Sequence, residues 1–373
     1  MNRPLSATHR RVVLIAGGGT GGHLMPALSI AAALRDAAPE LEPVLVGAER
    51  GIEARVLPER DFRHYLLPAE PIYRRTWWRN ARWPFVAVRL LRRLSAVYQR
   101  ERPAAVLGTG GYASGPVVWW GARRGVPTAV QEQNAFPGLA TRWLARRVDH
   151  VYLGLPEAAR RLSPGAGTRV HDTGNPITPP DRARRGAALL RFGVSDARPV
   201  VLVTGGSQGA LAINQVVGAW IERDGNRDAT LIWVTGRGTH ARFAHLHSPP
   251  HVHVVDFLDP MADAYAVADL VVSRAGMITV AEVCAWGLPS ILVPLPTAAA
   301  DHQTHNAAAM AAAGAAAHVP QAELLSRGFG PVVAPLLTDS VARDRMAAVA
   351  RSRGRPQAAR EIVSLLLTLI APK

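Results

Sequence analysis

Residues 12–23 read VVLIAGGGTGGH, and residues 200–210 read VVLVTGGSQGA. Each stretch is an apolar run that ends in glycines, which predicts a buried strand, a tight turn and then a helix. Such a turn brings backbone N–H groups and the positive end of a helix towards an anion, usually a phosphate. Two of these turns, half a chain apart, predict two nucleotide-fold domains that face a shared cleft.

The composition is typical of a globular protein, with 48% apolar and 19% charged residues in a chain of 373. This length accommodates about two domains. The single cysteine, Cys284, excludes a disulfide framework and fits a reducing cytoplasm. We expect neither a signal peptide in residues 1–11 nor a membrane-spanning segment, which would need about 18 consecutive apolar residues.

The net charge of +15 indicates an anionic partner, which is nucleic acid, an anionic membrane surface or a polyanionic substrate. No zinc-finger, RNA-recognition or helix-turn-helix pattern accompanies the charge. We therefore predict no nucleic-acid partner.

Strand-like runs alternate with helical patterns, which predicts parallel sheets covered by helices. The predicted strands are 12–16, 43–46, 105–107, 128–131, 150–153, 200–203, 230–234, 252–255, 270–272 and 290–293. The predicted helices are 26–38, 210–223, 261–266, 279–286, 305–313 and 358–370. The turn-rich stretch 171–180 is the predicted linker, and the alanine-rich stretch 307–317 is predicted to be helical.

Two further polar strings follow predicted strands of the first half: GTGGYASGP at 108–116 and EQNAFPG at 132–138. Ligands of open α/β sheets bind beyond the carboxyl ends of strands, so we expect His23, Tyr112, Glu132 and Asn134 to converge. His23 is the first candidate for a general base, because a histidine needs little tuning to accept a proton near neutral pH. Glu132 is the second. A helix N-terminal histidine that only packs is the alternative for His23.

In the second half, SRAGMITVAE at 273–282 runs from a strand through a turn into a helix. Glu282 lies in an otherwise apolar helix and is suited to accept hydrogen bonds from a ribose diol, unless it is a plain surface glutamate. The string DHQTHN at 301–306 suits the hydroxyls of a sugar. His302 and His305 lack a third ligand at a familiar spacing, so no metal site is predicted.

Gly17, Gly19 and Gly22 also satisfy the dinucleotide pattern G-x-G-x-x-G, with Glu49 as the acid that such a site needs. The turn at 205–209 does not fit this pattern, and a dehydrogenase seldom needs two phosphate turns. The sequence therefore disfavours a dehydrogenase.

Six strings, GGTGGH, GTGGYASGP, EQNAFPG, GGSQGA, SRAG…TVAE and DHQTHNA, follow in this order up to about residue 307. Together they resemble the MurG family of inverting glycosyltransferases. The resemblance implies a GT-B fold, an α/β architecture of two Rossmann-like domains with parallel sheets facing a central cleft. Residues 1–177 would face the acceptor and membrane, residues 178–355 would bind the UDP-sugar, and the last helix, within 356–373, would pack back on the first domain.

The resemblance also implies the reaction. N-acetylglucosamine would pass from UDP-N-acetylglucosamine to the C4 hydroxyl of undecaprenyl-diphosphate-linked N-acetylmuramyl pentapeptide, a peptidoglycan precursor, with no cofactor or obligatory metal. Ser207 would hold the diphosphate, Glu282 the ribose, the backbone at Leu258 the uracil, and Gln303 sugar hydroxyls. The remaining implied contacts are Met277, Ile278, Thr279, Val280 and Ala281 along the nucleotide, and Thr20, Gly21, Gly22 and Asn134 at the donor sugar.

The chain departs from the family pattern at two places. Residues 175–178 read NPIT where the family usually has Asn-Pro-Val-Arg, so Thr178 replaces an arginine expected near the phosphates. Arg182 and Arg184 are candidates to compensate. Met277 replaces a small residue.

Residues 72–100 contain Trp77, Trp78, Trp83 and Phe85 together with eight arginines and no acidic residue. Phe85, Val88, Leu91 and Leu94 recur at helical spacing, with arginines on the other face. The pattern is typical of a surface element in an anionic bilayer interface. The alternative is a helix packed on its own domain with a solvated basic face.

These observations predict a peripheral glycosyltransferase at the cytoplasmic face of the bacterial inner membrane. Another UDP-sugar transferase with a lipid acceptor, or a UDP-N-acetylglucosamine 2-epimerase, is the enzyme alternative. A basic nucleotide-binding module is the alternative without catalysis.

Overall fold

The computed structural model describes residues 11–71, 76–194, 198–206, 208–223 and 228–371. The predicted diphosphate contact Ser207 lies outside these residues. So do residues 72–75 at the start of the Trp/Arg segment, together with the side chain of Trp77.

Strands and helices alternate along the chain. The strands are β1 (Arg11–Ala16), β2 (Leu41–Ala48), β3 (His64–Leu67), β4 (Ala105–Gly108), β5 (Thr128–Glu132), β6 (His150–Leu153), β7 (Arg169–Asp172), β8 (Val200–Thr204), β9 (Thr230–Val234), β10 (Val252–Val255), β11 (Leu270–Ser273), β12 (Ser290–Leu292) and β13 (Ala317–His318). The helices are α1 (Gly21–Ala37), α2 (Glu53–Val56), α3 (Trp83–Glu101), α4 (Ser114–Arg123), α5 (Leu139–Leu144), α6 (Arg185–Phe192), α7 (Leu211–Ile221), α8 (Ala262–Val267), α9 (Met277–Trp286), α10 (His302–Ala312), α11 (Gln321–Arg327), α12 (Phe329–Thr338), α13 (Ser340–Arg353) and α14 (Ala358–Ile370).

Within the described residues the strands form two sheets, in the orders β3-β2-β1-β4-β5-β6-β7 and β10-β9-β8-β11-β12-β13. Neighbouring strands pair in parallel, for example β1 with β2 and β4, and β8 with β9 and β11. Both orders reverse beside the first strand of their sheet, which is the switch point where ligands of doubly wound sheets bind. The two glycine-rich turns directly follow β1 and β8, so each lies at its own switch point.

Two compact units divide the chain. The first comprises Met1–Gln133, Pro137–Ile177 and Gln357–Lys373, and the second comprises Asn134–Phe136 and Thr178–Pro356. In the first unit α14 packs on α1 and contributes Ile362, Val363 and Leu366 to the core beneath β1. Each sheet is covered on both faces by apolar side chains, which explains the uninterrupted apolar runs of the central strands.

The structure confirms the predicted parallel α/β architecture and the central strands, three of them to the residue. It adds β3, β7 and β13, which are short strands without a continuous apolar run. The stretch predicted as a linker from residue 171 therefore begins two residues too early, inside β7. The helix predicted over 307–317 is also wrong at its end, because α10 stops at Ala312 and Gly314 turns the chain with a φ of +77° towards β13.

Helix α1 begins at Gly21, five residues before the predicted start at Pro26. Pro26 lies inside the helix. The consequence is functional. His23 belongs to the first turn of α1, directly after the glycines.

Among the described residues, no helix is long and apolar enough to cross a membrane.

Candidate active site

A buried carboxylate holds the first glycine-rich turn. Both oxygens of Glu53 accept the N–H of Gly19 at 2.9 Å, and Oε1 also accepts the N–H of Ala48 at 2.9 Å. The side chain of Glu53 is fully buried. Hydrogen bonds of this kind to an ionised group are stronger than neutral ones, so Glu53 fixes the path of the turn.

Glycines surround this carboxylate because nothing larger fits. A Cβ at Gly18 would lie 2.1 Å from Oε1 of Glu53, and Gly47 and Gly51 are equally close to that side chain. The sequence led us to expect a phosphate at this turn. That expectation is wrong for the N–H of Gly19, whose anion is a carboxylate of the protein itself.

His23 lies against the turn that follows β4. Its Nδ1 is 3.2 Å from the carbonyl oxygen of Thr109 and 3.1 Å from Oε1 of Gln133. Both partners are acceptors, so Nδ1 carries the proton in the neutral ring and Nε2 is the basic nitrogen. Gly110, with a φ of +99°, allows this approach, since a Cβ there would lie 2.5 Å from Nδ1.

The structure brings His23, Tyr112 and the end of β5 to one edge of the first sheet. The ring of Tyr112 lies against Gly19, and Gln133 contacts His23 directly. Glu132 is buried and its Oε2 accepts the N–H of Gly138 at 2.9 Å. The second candidate base therefore also stabilises the loop before α5.

Asn134 falls in the second unit. The side chain of Asn306, which is fully buried, donates to Oδ1 of Asn134 at 3.1 Å and accepts the N–H of Ala135 at 2.9 Å. Phe136 stacks on His305 with ring centroids 4.8 Å apart. Residues 134–136 of the EQNAFPG string are thus held by the DHQTHNA string.

The second glycine-rich turn is tied to the end of β9. Gly209, with a φ of +74°, approaches the carbonyl oxygen of Thr235, and a Cβ there would lie 2.2 Å from it. Asn214 of α7 donates to the same carbonyl at 2.8 Å and accepts from the indole of Trp233 at 2.9 Å. Ser207, between these glycines, is not among the described residues.

Glu282 lies on α9, where its Oε2 accepts the hydroxyl of Tyr265 at 3.0 Å. Burial raises the pKa of Glu282, and the hydrogen bond from Tyr265 opposes that rise. Glu282 is therefore not a plain surface glutamate. Tyr265, which no sequence pattern singled out, orients it.

The start of α9 supplies backbone donors. Gly276 precedes the helix, and Met277 and Val280 are buried in the unit. At residues 277–279 the N–H groups of the first helical turn have no partner within the helix. Leu258 is also buried. Its side chain belongs to the core, so only its backbone can meet a base.

Gln303 and its neighbours are arranged around the start of α10. Oε1 of Gln303 accepts the N–H of Leu295 at 2.9 Å. Nδ1 of His302 lies 2.7 Å from the carbonyl oxygen of Ala299. Among the residues for which coordinates are described, no group of three or more His, Cys, Asp or Glu side chains could hold a metal ion.

The two arginines considered as substitutes at Thr178 have other partners. Arg184 pairs with Asp263 at 2.7 Å, and Arg182 donates to the carbonyl of Trp286 at 3.0 Å. Burial would raise the pKa of Asp263, but the hydrogen bonds from Arg191 and Arg184 hold it below its ordinary value. Arg184 is therefore committed to a stable ion pair.

The row of apolar residues on α3 divides in two. Leu94 is fully buried in the core, whereas Phe85 is 81% exposed and Val88 is 50% exposed. Trp78 is 60% exposed. The helix therefore packs on its own unit through its second half and leaves the apolar residues of its first half at the surface.

Sequence reasoning missed four residues that shape the site: Glu53, Gln133, Tyr265 and Asn306. Gln133 and Asn306 lie inside strings that the sequence had singled out, but neither was given a role. Glu53 left a weaker signal, since Gly47 and Gly51 flank it at short range. Tyr265 left none.

Comparison with known families gives matches in both halves of the chain. Residues 13–153 match the glycosyltransferase family 28 N-terminal domain, and residues 200–362 match the glycosyltransferase family 28 C-terminal domain.

Similar curated proteins match the chain over nearly its full length. A protein of Carboxydothermus hydrogenoformans is 37% identical over 97% of this chain and 98% of its own. One of Moorella thermoacetica is 39% identical over 96% of this chain and 99% of its own. Both are named UDP-N-acetylglucosamine–N-acetylmuramyl-(pentapeptide) pyrophosphoryl-undecaprenol N-acetylglucosamine transferase.

Solved structures agree on the fold. The crystal structure of MurG from Acinetobacter baumannii is 27% identical, with a TM-score of 0.76 over 96% of this chain and 99% of that one. A UDP-GlcNAc 2-epimerase from Neisseria meningitidis has a TM-score of 0.61 over 96% of this chain and 100% of that one. At 13% identity the epimerase shows a shared fold alone.

Replacement of Glu53 by glutamine tests the internal carboxylate. Glu53→Gln places an amide N–H against a backbone N–H donor, so we expect the first unit to lose about 1.5–3 kcal/mol of unfolding free energy. Calorimetry should show a transition lowered by about 2–4 °C per kcal/mol. Glu59→Gln, an exposed glutamate nearby, is the matched control. Equal stability of the two variants would contradict the role of Glu53.

Proposed function

The chain belongs to glycosyltransferase family 28 and, within it, to the MurG transferases, and on that premise we propose which of its residues carry each part of the reaction. The enzyme transfers N-acetylglucosamine from UDP-N-acetylglucosamine to undecaprenyl-diphosphate-linked N-acetylmuramyl pentapeptide. The observation that carries this function is the similarity to named transferases over nearly the full length of both chains.

Glu282 holds the ribose of the donor. Its Oε2 accepts the hydroxyl of Tyr265 at 3.0 Å, and its Oε1 accepts the ribose hydroxyls. The N–H groups at residues 277–279 face the nucleotide, with the side chains of Ile278, Thr279 and Ala281 along it. The backbone at Leu258 meets the uracil. Gln303 binds sugar hydroxyls while its Oε1 keeps the N–H of Leu295.

The second glycine-rich turn, with Ser207, binds the diphosphate. The first turn has an internal carboxylate from the stretch that follows β2. The corresponding stretch after β9, residues 235–246, contains no acidic residue and carries Arg237 and Arg242. No acidic side chain of that stretch competes for the second turn, and a nucleoside diphosphate is the anion that we assign to it.

His23 is the general base. Its Nε2 takes the proton of the C4 hydroxyl as that oxygen attacks the anomeric carbon and the configuration inverts. UDP leaves from the opposite face, and we assign the stabilisation of its charge to helix N-termini rather than to a metal ion. Glu132 is the second candidate base. The family resemblance supports contacts of Thr20, Gly21, Gly22 and Asn134 with the donor sugar.

The surface of the first unit that carries Trp78, Phe85 and Val88 binds the anionic cytoplasmic face of the inner membrane. Arg92 and Arg93 on the same helix are also exposed. Arg89 forms a long ion pair with Glu49, at 3.4 Å. Apolar insertion combined with basic residues is how peripheral proteins bind such membranes. This places the enzyme where its lipid-linked acceptor lies.

One assay separates transfer from epimerisation and from simple nucleotide binding. We expect UDP release from UDP-N-acetylglucosamine only when the lipid-linked muramyl acceptor is present. His23→Ala should lower kcat by roughly 10²–10⁴-fold, because general-base catalysis contributes about that factor. The exposed His245→Ala is the control and should keep its turnover. UDP release without acceptor would contradict transfer to the acceptor. Full turnover of His23→Ala would contradict the assignment of His23 as the base.

Glu282 and Tyr265 can be tested together. Glu282→Gln should weaken donor binding by about 1.5–3 kcal/mol, the range for hydrogen bonds to charged groups. Tyr265→Phe should weaken it less, by about 0.5–1.5 kcal/mol, because only the orientation of the carboxylate is lost. Titration with UDP-N-acetylglucosamine measures both, with the exposed Glu222→Gln as control. A Glu282→Gln variant with unchanged donor affinity would remove this residue from the site.

Vesicle co-sedimentation tests the membrane surface. We expect binding to anionic vesicles that falls as salt rises, since exposed charges are screened within about 8 Å at physiological ionic strength. The double variant Trp78→Ser, Phe85→Ser should bind at least about tenfold more weakly, because each buried aromatic contributes ~1.5–3 kcal/mol. Leu190→Ser, which changes a residue that is 86% exposed in the second unit, is the matched control. Equal binding of both would locate the membrane surface elsewhere.

A further inference from the structure

A chain of buried amide side chains lies behind His23 in the first unit. Oε1 of Gln133 faces Nδ1 of His23 at 3.1 Å, and Nε2 of Gln133 donates to the carbonyl of Thr109 at 2.6 Å. Nε2 of Gln133 also donates to Oε1 of Gln131. Gln131 in turn donates to Oδ1 of Asn175 at 2.9 Å.

Burial gives each amide a single favourable orientation. Gln131, Gln133 and Asn175 are 1%, 3% and 2% exposed. An amide that turned over would lose its hydrogen bonds on both sides and leave buried polar groups unsatisfied, which is unfavourable. In each hydrogen bond of the amide chain, it is therefore fixed which side chain donates the N–H and which supplies the oxygen.

The direction of the chain is set at Asn175. Its Nδ2 donates to the backbone carbonyl of Gln133 at 3.1 Å, which leaves Oδ1 for Gln131. Gln131 then presents its oxygen to Gln133, and Gln133 presents its oxygen to His23. The carbonyl of Thr109 supports the same orientation of Gln133.

We propose that Gln133 is a positioning residue that holds His23 in the Nδ1–H tautomer, with Gln131 and Asn175 fixing the orientation of Gln133. The inference rests on the proposed function, in which Nε2 of His23 takes the proton of the acceptor hydroxyl. In the other tautomer Nε2 already carries a proton and cannot take one. Gln133, together with the carbonyl of Thr109 as the other acceptor facing Nδ1, therefore determines what fraction of the enzyme has a competent base.

The chain of amide side chains ends near the point where the polypeptide leaves the first unit. Asn175 lies two residues before Ile177, the last residue of the first unit before the chain continues into the second. Hydrogen bonds thus run from His23 through Gln133 and Gln131 to Asn175, close to where the polypeptide leaves this unit.

Two variants distinguish positioning from packing. Gln133→Leu keeps the size of the side chain and removes the oxygen, whereas Gln133→Glu keeps an oxygen against Nδ1 but buries a charge. If Gln133 only filled space, leucine would be the milder change. We expect the opposite: Gln133→Leu lowers kcat by about 10–100-fold with the KM for UDP-N-acetylglucosamine within about twofold, and Gln133→Glu retains more turnover. The exposed Gln99→Leu is the control.

Nitrogen NMR of the free enzyme measures the tautomer without any turnover. With labelled histidine at about pH 8, where an ordinary imidazole is neutral, the His23 signals are identified by their loss in His23→Ala. We expect the Nδ1–H form in the unaltered enzyme and in Gln133→Glu, and a measurable share of the Nε2–H form in Gln133→Leu.

The outcomes separate this inference from the assignment of the base. A wild-type tautomer in Gln133→Leu overturns the inference, whatever the activity. Higher turnover in Gln133→Leu than in Gln133→Glu overturns it as well. Full turnover of His23→Ala overturns the base itself, and that result comes from a different variant.

Discussion

The bond between the carboxylate of Glu53 and the N–H of Gly19 is the constraint on which the first site depends. The carboxylate is fully buried, and it accepts a second bond from the N–H of Ala48 at the end of β2. The turn that it fixes leads directly into α1, so the same bond determines where His23 begins its approach to Thr109. Precise placement of His23, which we propose as the general base, requires a rigid support beneath it.

The two glycine-rich turns have nearly the same local sequence but different neighbouring loops. In the first unit Glu53, five residues beyond the end of β2, accepts the N–H of Gly19 from inside the protein. In the second unit the corresponding stretch carries Arg237 and Arg242 and no acidic residue. The turn motif alone therefore does not determine whether a carboxylate of the protein accepts one of its N–H groups, because that depends on the neighbouring loop.

The sequence predicted the central strands well because both faces of a covered parallel sheet are apolar, which gives continuous runs such as residues 200–204. Edge strands such as β7, which reads RVHD, have no such run and were missed. The sequence singled out His23 and Glu282 as candidates because they lie on strings that resemble the family pattern. Their partners were not singled out, because Gln133 and Tyr265 meet them across the fold and leave no spacing pattern in the chain.

The amide chain shows that the role of such a partner depends on its orientation, which its residue type does not determine. A glutamine can present either a donor or an acceptor to its neighbour, so the sequence alone leaves the tautomer of His23 open. Only the bonds at Asn175 and Thr109 decide which atom of Gln133 faces the ring. The base could therefore be proposed from a motif. Its tautomer, as we infer it, depends on how Gln133, Gln131 and Asn175 are connected by hydrogen bonds.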